Sequence, residues 1–192
     1  YSLGAGGVAT GSINVITLNM NRLVQQNRNL SEEVRKIHRY QVAFRKLIEE
    51  YKAGGLLPVY DAGFISLDKQ FLTIGINGMV EAAEYLGIAP TNNEQYKNFV
   101  RHHLKIIYEE NRKAREVYGY MFNTEFVPAE NLGVKNALWD KKDGLFSPRE
   151  CYNSYFYAVE DTQVNALDKI ILHGKEIIQY LDGGSALHLN LE

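Results

Sequence analysis

Short strand patterns alternate with helix patterns along the whole of this 192-residue sequence. Strands are predicted at 13–20, 71–77, 120–127, 149–159 and 186–191, where β-branched and aromatic residues alternate or run together. Helices are predicted between them, at 29–53, 78–87, 92–118, 128–139 and 162–182, the last bent near Gly174. Strands separated by helices pair in parallel, because the crossover returns the chain to the same end of the sheet. The sequence therefore predicts an α/β fold with about five parallel strands.

The two longest predicted helices, 29–53 and 92–118, each carry one apolar stripe and one charged face. Asn29 followed by Glu32 is a capping-box-like start for the first of them. The second contains the adjacent pair His102 and His103, which point to different faces. Because a zinc pair on a helix needs i, i+4 spacing, these histidines predict no metal site.

The segment 120–139 joins a strand to a helix through Pro128. Pro128 cannot donate to a ladder, so the strand should end at about Val127, and proline suits the first helical turn. The next backbone N–H groups would be unpaired donors at a helix N-terminus, which favours a phosphate there. The predicted phosphate-binding residues are Ala129, Glu130, Asn131 and Leu132. The alternative is a strand-to-helix corner with no ligand, a common feature of α/β domains.

Composition excludes several classes of function. The net charge of −2 leaves no basic footprint for nucleic acid, and no apolar run approaches the ~20 residues of a membrane helix. The single cysteine, Cys151, excludes an internal disulfide and is typical of a reducing cytoplasm. Cys151 is either a redox thiol or a small buried apolar residue. We therefore expect a cytoplasmic protein that binds neither nucleic acid nor membranes.

The two ends of the chain predict that it is part of a longer polypeptide. It begins at Tyr1, and it ends at Glu192 while the letters ALHLNL still follow a strand pattern, which would leave a sheet edge in need of a partner. Residues 1–11 are rich in glycine and match a dinucleotide fingerprint loosely. Because a strand follows this loop instead of preceding it, we interpret it as a flexible lead-in.

Four motifs occur in a characteristic order: SINVITLNMNRL, FNTEFVPAENLG, RECYNSYFYAVED and LDGGSALHLNLE. Together they resemble the C-terminal half of the catalytic domain of anaerobic (class III) ribonucleoside-triphosphate reductases. The resemblance implies half of a ten-stranded α/β barrel of the glycyl-radical-enzyme type. It also implies reduction of ribonucleoside triphosphates to deoxyribonucleoside triphosphates, the precursors of DNA. Residues 1–192 would be a partial catalytic domain, inactive alone, with the finger-loop cysteine and the glycyl-radical segment outside the chain.

The resemblance also implies partners and cofactors. A separate radical-SAM activase would install the glycyl radical, an external reductant (formate or a redoxin) would restore the sugar, and the full-length enzyme would be a homodimer. Effector ATP and dNTPs would bind in regions that this chain lacks. Ser12 stands where formate-using members have asparagine, which favours a redoxin over formate.

By the same resemblance, Ser12 and Asn14 would face the ribose of the substrate. Glu130 would be either a proton carrier for the departing 2′-hydroxyl or simply a carboxylate at the helix start. Two alternatives stay open. One is a non-catalytic nucleotide-binding or assembly module on the same half-barrel, and the other is a different glycyl-radical enzyme, such as an acyl lyase.

Overall fold

The computed structural model describes residues 11–161 and 164–189, except for the side chain of Glu130. The described strands form one parallel sheet in chain order: β1 Gly11–Asn19, β2 Gln70–Asn77, β3 Met121–Phe126 and β4 Gly184–Ser185. The α-helices are α1 Met20–Gln25, α2 Leu30–Ala53, α3 Pro58–Asp61, α4 Met79–Tyr85, α5 Glu94–Tyr118, α6 Glu130–Lys142, α7 Ala166–Leu172 and α8 Lys175–Ile178. The predicted glycine loop lies almost entirely outside the described residues.

The two long helices begin at side-chain caps, as the sequence predicted for the first of them. The Asn29 side chain accepts a hydrogen bond from the N–H of Glu32 at 3.2 Å. Asn93 caps α5 in the same way, accepting from the N–H of Tyr96 at 2.8 Å. Each cap satisfies an N–H group that the helix itself leaves without a partner. Gly119, with φ of +70°, ends α5 in the left-handed conformation that glycine adopts most easily.

Helices α2 and α5 cover one face of the sheet and form the main core with it. The core residues include Val34 and Ile37 of α2, Val100, Leu104 and Ile107 of α5, and Ile74, Ile76 and Phe126 of the strands. Burial of each such side chain contributes about 1.5–3 kcal/mol to stability. The sheet is therefore held in place by its apolar, helix-facing side.

None of the helices in the described ranges is both long and apolar enough to cross a membrane.

The prediction of a strand at 149–159 is wrong, because this segment has an irregular backbone. It crosses the carboxyl ends of the strands, and side chains take the place of a strand partner. Asn77 Nδ2 donates to the carbonyl groups of Tyr152 and Asn153, both at 3.2 Å. The ring of Phe156 packs edge-on against Phe126 at 4.6 Å. The alternating aromatic pattern thus arises from packing against residues that are distant in sequence. Its period of two happens to match that of a strand.

Three smaller predictions are also corrected. Helix α6 begins at Glu130 with Ala129 as its N-cap, so Pro128 precedes the helix and does not lie in its first turn. The last strand is Gly184–Ser185; residues 186–189 are irregular, and 190–192 lie outside the described residues. The described sheet therefore has four strands instead of the predicted five. The predicted bend at Gly174 is confirmed, since α7 and α8 are separated there.

Candidate functional site

A cavity of about 440 Å³ lies on the face of the sheet opposite α2 and α5. Its lining consists of Ser12, Val15, Thr17, Gly75, Ile76, Glu125, Val127, Pro128 and Ala129. Two regions that the sequence analysis selected separately, Ser12 on β1 and the Pro128 corner, therefore share one cavity. Parallel strands bring their carboxyl ends to the same edge, which is where α/β sheets usually bind ligands.

Strand register determines which side chains reach this face. Thr17 pairs with Gly75, and Gly75 pairs with Glu125, so these three positions form one row across the sheet. A Cβ atom at position 75 would lie 2.5 Å from Thr17 Oγ1, closer than any stable contact. Glycine at 75 therefore leaves the row open and gives space beside Glu125.

A chain of hydrogen bonds fixes the hydroxyl group of Ser12. Thr73 Oγ1 donates to Asn123 Oδ1 at 2.6 Å, and Ser12 Oγ is hydrogen-bonded to the same Thr73 hydroxyl. Because the single hydrogen of Thr73 goes to Asn123, this network assigns the remaining hydrogen bond to donation by Ser12. The lone pairs of Ser12 Oγ are then the groups it offers to the cavity.

Glu125 is the carboxylate of the cavity, and the sequence analysis did not select it. Burial raises the pKa of Glu125 above its ordinary value. The described residues provide it with no ion pair. A half-buried carboxyl group with a raised pKa holds its proton more tightly than an exposed one, which suits a group that transfers a proton. The alternation of MFNTEF puts Asn123 and Glu125 on the same face of the strand, but it does not show that Gly75 on the neighbouring strand leaves space beside Glu125.

The start of α6 supplies a mixture of engaged and open N–H groups. The Ala129 N–H donates to Ser154 Oγ at 3.2 Å, so this member of the predicted set already has a protein partner. The N–H groups of Asn131 and Leu132 make no hydrogen bond within the described part of the chain. The side chain of Glu130 lies outside the described residues, so its predicted role remains a prediction.

Buried polar side chains hold α6 against the end of β2. Asn77 Nδ2 donates to Ser154 Oγ at 3.2 Å, and Asn136 Nδ2 donates to Asn77 Oδ1 at 2.8 Å. Gly133 allows the segment 151–152 to approach, because a Cβ atom there would lie 2.7 Å from the carbonyl oxygen of Tyr152. The direction of the helix start is therefore fixed before any ligand binds.

The far end of α6 is anchored by the fully buried carboxylate of Asp140. It accepts hydrogen bonds from Asn21 Nδ2 at 3.0 Å and from the Tyr152 hydroxyl at 2.9 Å. Arg22 Nε lies 2.7 Å from it and supplies the opposite charge. A buried carboxylate is tolerated only with such pairing, so this cluster locks α6 to α1 and to the 149–159 segment.

Asn14 and Cys151 do not line the cavity. Asn14 pairs with Leu72, whose side chain is buried on the helix-facing side, and its neighbour Val15 lines the cavity, so Asn14 points the other way. Its Oδ1 is buried without a hydrogen-bond partner among the described residues. The half-buried Cys151 lies in a separate cavity of about 300 Å³ that also contains His188.

Comparison with known proteins identifies the family. The model of the anaerobic ribonucleoside-triphosphate reductase family matches residues 3–192. Among solved structures, the anaerobic ribonucleotide reductase from Thermotoga maritima with dATP bound in the specificity site is 32% identical, with a TM-score of 0.87 over 95% of this chain and 33% of that chain. The same enzyme with glycerol in the active site gives 31% identity and a TM-score of 0.89, over 98% of this chain and 34% of that chain. No curated protein sequence matches.

This chain thus spans about a third of the length of the solved structures that it resembles. The match favours a reductase fragment. No observation supports either of the two alternatives raised from the sequence. The expected α/β barrel fold is confirmed, with the strand count corrected as above. Since the family model covers nearly all of it, this chain belongs to the anaerobic ribonucleoside-triphosphate reductase family.

Proposed function

We propose that this chain forms the substrate-facing wall of an enzyme that reduces ribonucleoside triphosphates to deoxyribonucleoside triphosphates. One observation carries the proposal: Ser12, Glu125 and the residues before α6 line the same cavity. Its volume of about 440 Å³ falls in the usual range for small-molecule sites. Family membership and the similar Thermotoga maritima enzyme, described in complex with dATP and CTP, support a nucleotide as the ligand.

In this proposal the triphosphate binds at the start of α6. The N–H groups of Asn131 and Leu132 are open donors, and the positive end of the helix dipole adds to their attraction for an anion. The N–H of Ala129 contributes little, because it is bonded to Ser154. The ribose then extends along the cavity toward Ser12 and Glu125.

The carboxyl group of Glu125 is the proton carrier that fits the cavity best. Protonated Glu125 donates its proton to the departing 2′-hydroxyl, which leaves as water, and Glu125 remains as a carboxylate. Ser12 positions a ribose hydroxyl by accepting its hydrogen bond. Glu130 stays an alternative carrier. Asn14 has no part in this arrangement, because it lies on the other face of the sheet.

The radical chemistry belongs to parts of the enzyme outside these residues. Hydrogen abstraction from the sugar would come from a glycyl radical that a radical-SAM activase installs, through the finger-loop cysteine. The walls built here exclude water from that reaction. We further propose a cytoplasmic homodimer with dNTP and ATP effectors bound elsewhere, and Ser12 favours a redoxin over formate as the reductant.

Replacement of Asn131 by proline tests the phosphate site. Proline removes one N–H group but is tolerated in a first helical turn, so α6 should persist. In the full-length enzyme, isothermal titration with CTP should show affinity lowered by about tenfold or more, since a hydrogen bond to a charged group contributes roughly 1.5–3 kcal/mol.

The matched control is Gln95→Pro, which removes an N–H group at the equivalent exposed position of α5. That variant should bind CTP normally. Unchanged affinity in Asn131→Pro, with a folded protein, would refute the proposed phosphate site.

A further inference from the structure

Thr17 on β1 is a second hydroxyl-bearing residue in the lining of the cavity that contains Ser12 and Glu125. The strand register puts Thr17, Gly75 and Glu125 in one row, so Gly75 separates the two polar side chains. Neighbouring strands are about 4.8 Å apart, and residues paired in a row present their side chains on the same face of the sheet. One small group above Gly75 can therefore contact both Thr17 and Glu125.

The side chain of Thr17 leans over Gly75. A Cβ atom at position 75 would lie 2.5 Å from Thr17 Oγ1 and 3.3 Å from Thr17 Cβ. The Thr17 hydroxyl thus occupies the space in which any other residue at position 75 would carry its side chain. Because branching at Cβ restricts χ1 of threonine, the hydroxyl is held there before a ligand binds.

The Thr17 hydroxyl is also available to a ligand. It makes no hydrogen bond within the described part of the chain, whereas the Ser12 hydroxyl is bonded to Thr73. The carboxyl group of Glu125 likewise makes no hydrogen bond to the described residues. A threonine hydroxyl has one hydrogen to donate and lone pairs that accept. Two polar groups without protein partners therefore flank the space above Gly75.

The spacing along the strands suits two neighbouring hydroxyl groups of one ligand. Ser12 is bonded to the side chain of Thr73, which lies two residues before Gly75 on β2. The hydroxyls of Ser12 and Thr17 thus belong to rows that are about 7 Å apart. Two O–H···O bonds of about 2.8 Å each, with the short distance between vicinal oxygens, span this separation. A ribose carries such a pair of hydroxyls at C2′ and C3′.

We infer that Thr17 recognises the 2′-hydroxyl of the substrate; the inference rests on the proposed function, which supplies the ribose. The 2′-hydroxyl lies above Gly75 and donates its hydrogen to Thr17 Oγ1, so a lone pair of the same oxygen faces the proton of Glu125. Ser12 accepts the hydrogen bond of the 3′-hydroxyl. Once the 2′-oxygen has left as water, Thr17 loses its partner on the sugar. The site therefore binds the deoxyribonucleotide product more weakly than the substrate.

Equilibrium binding of sugar analogues to the full-length enzyme tests the inference. Isothermal titrations compare CTP, 2′-deoxy-CTP and 3′-deoxy-CTP, with a different effector dNTP already saturating its own site. The wild type should bind CTP about tenfold or more tightly than 2′-deoxy-CTP, because two hydrogen bonds are lost. Thr17→Val keeps the shape of the side chain and should lower this ratio about fivefold, the effect of one neutral hydrogen bond.

The analogues show which hydroxyl is read. Thr17→Val should weaken binding of CTP and of 3′-deoxy-CTP, which both carry the 2′-hydroxyl, and should leave 2′-deoxy-CTP unchanged. Thr17→Ser keeps the hydroxyl but loses the methyl group, so it should retain most of the ratio, an outcome that a role in packing alone does not give. Thr91→Val makes the same chemical change before α5, outside the cavity, and should leave the ratio unchanged.

An unchanged ratio in Thr17→Val, or an equal loss of affinity for CTP and 2′-deoxy-CTP, would overturn the inference. Failure of the proposed phosphate site gives a different result. Asn131→Pro should weaken CTP and 2′-deoxy-CTP equally, because both carry the triphosphate, and should leave their ratio intact. Unchanged affinities in Asn131→Pro refute the phosphate site, whereas an unchanged ratio in Thr17→Val refutes the contact of Thr17 with the 2′-hydroxyl.

Discussion

The two faces of strands β2 and β3 carry different kinds of residue although they share one backbone. On the helix-facing side, Leu72, Ile74 and Phe122 are fully buried, and any apolar residue of similar volume would serve the same purpose. On the cavity-facing side, Gly75 and Glu125 are an open position and a carboxyl group, and neither improves the packing. The comparison teaches that stability and chemistry occupy alternate residues of the same strands.

The largest effect should follow from a change on the helix-facing side. Leu72→Ala removes a fully buried side chain between α2, α5 and the sheet, so the free energy of unfolding should fall by about 2–5 kcal/mol. Val15→Ala is the matched change on the cavity-facing side, where the side chain is 44% exposed, and it should cost less than about 1 kcal/mol. Urea denaturation of both variants measures the difference. Equal losses would contradict the division between the two faces.

On the cavity-facing side, Glu125→Gln should lower activity without lowering stability. Loss of a proton carrier should lower kcat by about a hundredfold or more, while the free energy of unfolding at neutral pH should not fall. Steady-state assays of the activated full-length enzyme measure this, and Glu116→Gln, an exposed carboxylate on α5, is the control. Full activity of Glu125→Gln would assign proton transfer to another group, with Glu130 the first to examine.

The same variant has a signature in the pH dependence of stability. Because burial raises the pKa of Glu125 in the folded state, the folded protein holds this proton more tightly than the unfolded chain does. Stability from this group is therefore fully present below the unfolded carboxyl pKa of about 4.3 and is lost as pH rises through the folded value. Glu125→Gln should remove that part of the pH dependence, which is measured as the free energy of unfolding in urea titrations above the unfolded carboxyl pKa of about 4.3.

Much of the fold could be predicted from local patterns, because the patterns and the packing agree there. The caps at Asn29 and Asn93 and the apolar stripes fix α2 and α5, and proline marks the end of β3. The segment 149–159 was mispredicted because its aromatic residues pack against partners far away in sequence. Tyr152 bonds to Asp140, and Phe156 packs on Phe126, so no local period could reveal the irregular backbone.

The candidate site was predictable only in part for a similar reason. The proline corner and the open donors after it follow from local chemistry, and the pairing of Ser12 with that corner came from resemblance to a family. Glu125 was missed because its importance depends on Gly75 across the sheet, which leaves the space in front of it. That relation exists only in the strand register, which a single sequence does not specify.

The smallest expected effect concerns Ser154, which links the 149–159 segment to the corner before α6. Ser154→Ala removes the acceptor for the Ala129 N–H and for Asn77 Nδ2, so the free energy of unfolding should fall by about 1 kcal/mol. Ser147→Ala is the control. The Ser147 hydroxyl donates to the carbonyl of Ala137 in α6 and lies outside the cavity, so this variant should lower the free energy of unfolding by a similar amount.

The affinity for nucleotide separates these two variants from Asn131→Pro. Because the Ala129 N–H points to protein, loss of Ser154 should change CTP affinity less than about threefold, whereas loss of the open Asn131 N–H changes it tenfold. A large loss of affinity in Ser154→Ala would mean that the engaged N–H matters as much as the open ones. Nucleotide binding would then require a rigid helix start, which Ser154 and Asn77 hold in position. The function of the cavity-facing side would depend on buried packing as much as the stability of the helix-facing side does.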